Sequence, residues 1–120
     1  MGDNIIKRAS FEFALEIIKF SECLESQKKY VVANQVLKSG CSIGANVREA
    51  QNAESKLDFI HKLKVAIKEA EETEYWLMLC NHSASYPDTA DLIEQVRGII
   101  KILGKIISTT KKSLTLKGSN

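Results

Sequence analysis

Residues 59–80, FIHKLKVAIKEAEETEYWLMLC, set Phe59, Leu63, Ala66, Ala70, Thr73, Leu77 and Cys80 at alternating steps of four and three. That spacing puts them on one stripe of an α-helix, the seam by which helices pack side by side in a bundle. The same stretch carries a second apolar set, Val65, Tyr75, Trp76 and Leu79, largely on the opposite side. A helix in a four-helix monomer buries one stripe, so a second one asks for another partner.

Three- and four-residue spacing of apolar residues recurs along the whole chain, and no run alternates apolar and polar residues as a half-buried strand does. Four helices are expected, from Ile5 to Ser26, Tyr30 to Ala53, Lys56 to His82 and Asp88 to Ser113. Ser55 stands three residues before Asp58, so its hydroxyl can cap the third helix while the carboxylate reaches back. Between helices three and four, Ser83-Ala84-Ser85-Tyr86-Pro87-Asp88 ends with a proline that cannot continue a helix but can open one. Connections this short force neighbouring helices to run antiparallel. The fold class is all-α: an antiparallel up-and-down four-helix bundle, with residues 1–120 forming one domain.

Helix four has one apolar arc, Leu92, Val96, Ile99, Leu103 and Ile106 with Ile93, Ile100 and Ile107 beside them, as a core-facing helix should. Helix one, like helix three, has two. Phe11, Ala14, Leu15 and Ile18 form one face, read here as the core, and Phe13, Ile17, Phe20 and Leu24 form the other. The second sets, Phe13, Ile17, Phe20 and Leu24 together with Val65, Tyr75, Trp76 and Leu79, are therefore the expected surface for self-association. Cover by the N-terminal residues or an unusual helix tilt is the alternative.

Inside helix two, Ser39-Gly40-Cys41-Ser42-Ile43-Gly44-Ala45-Asn46 is almost entirely small. Glycine in a helix costs about 1 kcal/mol relative to alanine, so Gly40 and Gly44, on one face, point to a close approach of another helix. A phosphate-cradling loop would need a Lys-Ser or Lys-Thr pair and a flanking strand, and both are missing from this stretch.

The combination Gln35-x-x-x-Ser39-Gly40-x-Ser42-Ile43-Gly44-Ala45-Asn46-x-x-Glu49-Ala50, then Ala53-x-Ser55-x-x-Asp58-Phe59, then Lys68-Glu69-Ala70-x-Glu72-Thr73-x-Tyr75-Trp76-Leu77 resembles a bacterial family. Its members are four-helix-bundle proteins encoded in intervening sequences of large-subunit ribosomal RNA genes, also labelled S23 ribosomal protein. The resemblance covers nearly the whole chain. It implies a ring-like homopentamer without assigned catalytic residues. The family is in turn similar to the accessory variability protein of diversity-generating retroelements, a basic pentamer that binds nucleic acid and a reverse transcriptase. The near-neutral charge of this chain departs from that relative.

Seventeen Lys and Arg against fifteen Asp and Glu leave a net charge of +2, too small to mark a nucleic-acid binder, so distribution has to carry that argument. After Glu94 the charged residues are all basic, Arg97, Lys101, Lys105, Lys111, Lys112 and Lys117. Arg97, Lys101 and Lys105 follow one another at intervals of four along one side of helix four, with Lys112 continuing approximately. Such a stripe can meet phosphates without reading sequence, or be a solvated, dipole-favoured helix end. On helix three the charges oppose the dipole: Lys56, Lys62, Lys64 and Lys68 come first, and Glu69, Glu71, Glu72 and Glu74 follow.

The residues bearing on other chemistry are few. Three cysteines, Cys23, Cys41 and Cys80, lack a C-x-x-C pairing, which suggests neither a disulfide framework nor a zinc ribbon and fits a reducing cytoplasm. Only Asp58-x-x-His61 approaches the Glu-x-x-His pairs of dimetal bundles, and His82 has Leu79 in the matching place. No metal, cofactor or catalytic residue is therefore expected. MGDNIIKRAS at the start lacks a signal-sequence pattern, and no apolar run is long enough for a membrane span. The leading expectation is a non-catalytic homo-oligomer that binds RNA or DNA through Arg97, Lys101, Lys105 and Lys112; the alternative is an adaptor that recruits another protein.

Overall fold

The computed structural model describes residues 2–118, with side-chain surroundings for residues 5–115. Among them are four helices and no strand: α1 Gly2–Ser26, α2 Tyr30–Gln51, α3 Lys56–Asn81 and α4 Ala90–Gly118. α2 packs on α1 and α3, and α4 packs on α3 and α1, while α1 and α3 occupy one diagonal and α2 and α4 the other. The bundle is a rod of 58 × 23 × 21 Å.

Each connection has its own chemistry. α1 ends with Lys28 in the left-handed region at φ 63°; the Lys28 amide donates to the Glu25 carbonyl and the Lys29 amide to that of Leu24, 2.9 Å each. This is the Schellman arrangement, which ordinarily selects glycine at the left-handed position. Ser55 caps α3 as expected, its Oγ accepting from the Asp58 amide at 3.0 Å, but the Asp58 carboxylate reaches past Ser55 to the Glu54 amide at 3.3 Å. α4 starts two residues later than its proline suggests. Thr89 is held first, its hydroxyl donating to the Leu77 carbonyl at 2.6 Å and its amide to Asn81 Oδ1 at 3.1 Å; Asp88 then accepts from the Ala90 amide.

The core runs the length of the rod. α3 contributes the stripe its periodicity indicates, with Leu63, Ala66, Ala70, Thr73, Leu77 and Cys80 buried. α4 contributes Ile93, Val96, Ile99, Leu103 and Ile107, while Leu92, Ile100 and Ile106 are half-buried at the edges of the arc. The sequence reading of α1 is corrected: Phe13, Ile17, Phe20 and Leu24 form its core face, at most 9% exposed, whereas Phe11, Leu15 and Ile18 are 38–54% exposed. The reason lies in α2. Gly40 brings its backbone against Ile17, so a Cβ built there would lie 2.8 Å from Ile17 Cγ2, and Gly44 faces Ser10. The small face of α2 thus receives the Ile17 side of α1, and the Leu15 side turns outward.

Polar groups inside the core are paired. Thr73 Oγ1 donates to Ser39 Oγ at 2.9 Å, joining α3 to α2, and Ser21 Oγ donates to the Ala33 carbonyl at 3.1 Å, joining α1 to α2. Among the described residues no buried side-chain polar atom lacks a partner, the condition under which small polar residues can stand in a close-packed seam.

Candidate nucleic-acid interface

Two contacts set the register of α3 against α4. Arg97 Nε donates to Glu74 Oε2 at 2.5 Å, and Lys56 Nζ donates to Ser113 Oγ at 2.5 Å. The helices are antiparallel between these points, so the lysine-rich first half of α3 runs beside the lysine-rich second half of α4. Lys64 and Lys68 are exposed and come level with Lys101 and Lys105, themselves exposed. Lys7 and Arg8 of α1 and Arg48 of α2 lie at the same end of the rod and are exposed too. The acids gather at the other end: Glu71 and Glu72 on α3, Asp91 and Glu94 on α4, Glu22 and Glu25 on α1 are all exposed. The weak net charge of the chain is therefore the near-cancellation of two oppositely charged poles.

The charge order along α3 is met by opposite charge on its neighbours at two points, the first being Glu74, in its acidic second half, with Arg97 of α4. Lys62 is drawn across to Glu49 of α2 at 3.2 Å, a half-exposed pair worth no more than about 1 kcal/mol.

The four basic residues singled out on α4 are not equivalent. Four helical positions advance about 40° beyond a full turn, so Arg97, Lys101 and Lys105 drift around the helix. Arg97 is on the α3 flank, neutralised by Glu74 and with Nη2 3.9 Å from Met78 Sδ. Lys101 points outward. Lys105 reaches the α1 flank, where it borders a groove of about 520 Å³ lined by Ile5, Phe59, Ile102, Ile106, Thr109 and Thr110. Lys112 is exposed about two turns beyond, beside Ser108 and Lys111. Lys64, on the α4 flank of α3, completes this surface, a residue that periodicity on a single helix could not connect to it. The opposite charge order of the two antiparallel helices was the available signal.

Val65 and Trp76 are half-buried, and Tyr75 and Leu79 are 57% and 41% exposed on the outside of α3. Trp76 donates its indole N–H to Glu72 at 3.3 Å and meets Tyr75 edge to face, ring centroids 5.6 Å apart. Gly40 and Gly44 lie in the α1–α2 seam already described.

Burial pushes the Cys41 and Cys80 thiols up, opposite to the shift that activates a cysteine nucleophile. Among the described residues, no cluster of His, Cys, Asp and Glu could hold a metal ion, and no helix is long and apolar enough to cross a membrane.

A crystal structure of a protein of unknown function from the S23 ribosomal protein family of Bacteroides thetaiotaomicron VPI-5482 is 42% identical to this chain and matches it with a TM-score of 0.85, covering 90% of this chain and 99% of that one. None of the curated proteins matches. The 23S rRNA-intervening sequence protein family matches residues 2–105, which take in α1, α2, α3 and α4 as far as Lys105. The chain belongs to the 23S rRNA-intervening sequence protein family.

Proposed function

We propose that this protein is a non-catalytic bundle that assembles with copies of itself and binds RNA or DNA through phosphate contacts at its basic pole. The observation that carries the reading is the antiparallel juxtaposition of Lys64 on α3 with Lys101, Lys105 and Lys112 on α4, all exposed. Their ammonium groups stand on two rigid helices in a stripe that can follow a phosphate backbone and displace its counterions. Nothing in this arrangement reads a base edge, so binding is sequence-independent. One copy offers few charges; several in one assembly, five by family resemblance, engage one strand with far greater avidity.

The test is fluorescence anisotropy of a labelled single-stranded RNA across a salt series. Binding weakens as salt rises, and a Lys101→Ala, Lys105→Ala, Lys112→Ala variant binds more weakly with a slope shallower by about 2 per subunit engaged, since each lost phosphate contact on a single strand removes about 0.7. Adding Lys64→Ala deepens the loss, while Arg97→Ala changes it least because Glu74 already occupies that guanidinium. No binding at low salt, or an unaltered triple variant, rejects the site and favours recruitment of another protein.

A further inference from the structure

Where α4 passes the start of α1, at the loosest of the four seams, the surface opens into the groove of about 520 Å³. Ile102 and Ile106 of α4 form one wall, half-buried against the core. Phe59 of α3, also packed against the core, adds an aromatic ring, and Ile5 of α1, 59% exposed, stands at the edge. The rim is polar, with Lys105 and, a turn later, Thr109 both exposed. Thr110 offers less, because its hydroxyl already donates to the Ile106 carbonyl at 2.8 Å.

We propose that this groove binds one free fatty acid of medium chain length, its carboxylate on Lys105 and Thr109 and its alkyl chain along Ile102, Ile106, Phe59 and Ile5. The volume lies within about 300 to 1,000 Å³, the usual range of small-molecule sites. The α4 wall from Ile102 to Thr110 runs about 12 Å at the helical rise, the length of an extended decanoyl chain. Among the described residues the lining carries one charge, that of Lys105, and no acid. The ion pairs among those residues, Lys19–Glu16, Lys62–Glu49 and Arg97–Glu74, leave Lys105 out.

Charge decides among the occupants an apolar groove can take. A polyanionic strand calls for cations in series, and an apolar face of another chain leaves an ammonium at the contact edge unanswered. One cation beside an apolar wall answers to one anion on an alkyl chain. Lysine suits the place, since its stem lies along apolar surface while its head stays in water, and the Thr109 hydroxyl adds a charge-assisted hydrogen bond to the carboxylate. The proposal goes beyond the phosphate contacts proposed above, shares only Lys105 with them, and is tested without nucleic acid.

Titration calorimetry with decanoate and with decanol separates the wall from the cation, at about pH 8, well above the carboxylate range, and below the concentration at which decanoate forms micelles. An apolar surface alone prefers the alcohol, because a carboxylate is the costlier group to take from water. The expected result is one decanoate per chain, bound about fivefold more tightly than decanol, the reach of one solvent-facing ion pair. Lys105→Met keeps an apolar stem, removes the charge and reverses that order. Ile5→Glu, at an exposed position where folding is unaffected, sets a like charge at the edge and weakens decanoate more than decanol. Isoleucine methyl NMR locates the ligand: Ile102 and Ile106 shift on addition of decanoate, and Ile43, buried in the core, does not. No saturable uptake of decanoate, decanol bound at least as tightly by the parent, or shifts that miss Ile102 and Ile106 would overturn the proposal. A parent that takes up no decanoate, with Ile5→Glu lowering the assembly mass by light scattering, would overturn it in favour of a second copy seated in the groove.

Discussion

The two seams that α1 makes are built differently. Toward α2 it meets a small face, where Gly40 lets Ile17 touch backbone, Ser21 bonds across to Ala33, and Gly44 leaves ordinary contact with Ser10. Toward α4 the approach is looser, the loosest of the four seams, and at one end it opens into the groove bordered by Ile5, Ile102 and Ile106. Helices come close where one presents small residues, while two faces of long aliphatic side chains hold each other apart and leave a furrow. α1 is thus fixed by α2, and α4 closes the bundle behind it.

That contrast sets an order of expected effects. Ile17→Ala removes a fully buried side chain from the tight seam and should lower stability by about 2 to 5 kcal/mol in urea unfolding, whereas Ile102→Ala, at the groove where neighbours already stand off, should stay near 1 kcal/mol. Equal losses would mean that the two seams are equally packed.

Gly40→Leu should cost about 1 to 3 kcal/mol by overpacking, since even a Cβ there lies too near Ile17. Gly44→Ala, with its nearest neighbour 3.5 Å away, should instead gain up to about 1 kcal/mol of helix propensity. Thermal melts of the pair check the sign, and a loss at Gly44 would place the close approach over both glycines.

Lys28 sits in a conformation that costs an L-residue about 1 to 2 kcal/mol, so Lys28→Gly should raise the melting temperature slightly and leave the α1–α2 seam unchanged. The smallest effect is kinetic. Exposed Cys23 should react with a thiol reagent first, half-buried Cys41 more slowly, and buried Cys80 only as the helices part; fast labelling of Cys80 in the folded protein would show that the core around α3 opens readily.

Periodicity, caps and breakers along the chain were enough for the number, order and direction of the helices. Ser55 before Asp58 marked the start of α3, and the double stripe of α3 marked it as a helix with an outer apolar face. α1 shows where that reading stops. Its two stripes are about equally apolar, yet Ile6 extends the Phe13 and Ile17 set and Ser10 and Ser21 border it, while Lys7, Arg8 and Glu22 border the other. Those neighbours held the signal for the buried face. The turn at Lys28 carried none, because lysine is not the residue a left-handed position selects.

The sequence by itself determined the α-helical class, the four-element antiparallel order and the close-packing character of Gly40, since each depends on spacing or backbone freedom within one segment. Only the tertiary structure decided which stripe of α1 faces inward, that Arg97 is held by Glu74, and that Lys64 joins Lys101 and Lys105. A single helix carries its pattern around its own axis, but burial and charge proximity belong to pairs of helices, and pairs exist only once the rods have met in register.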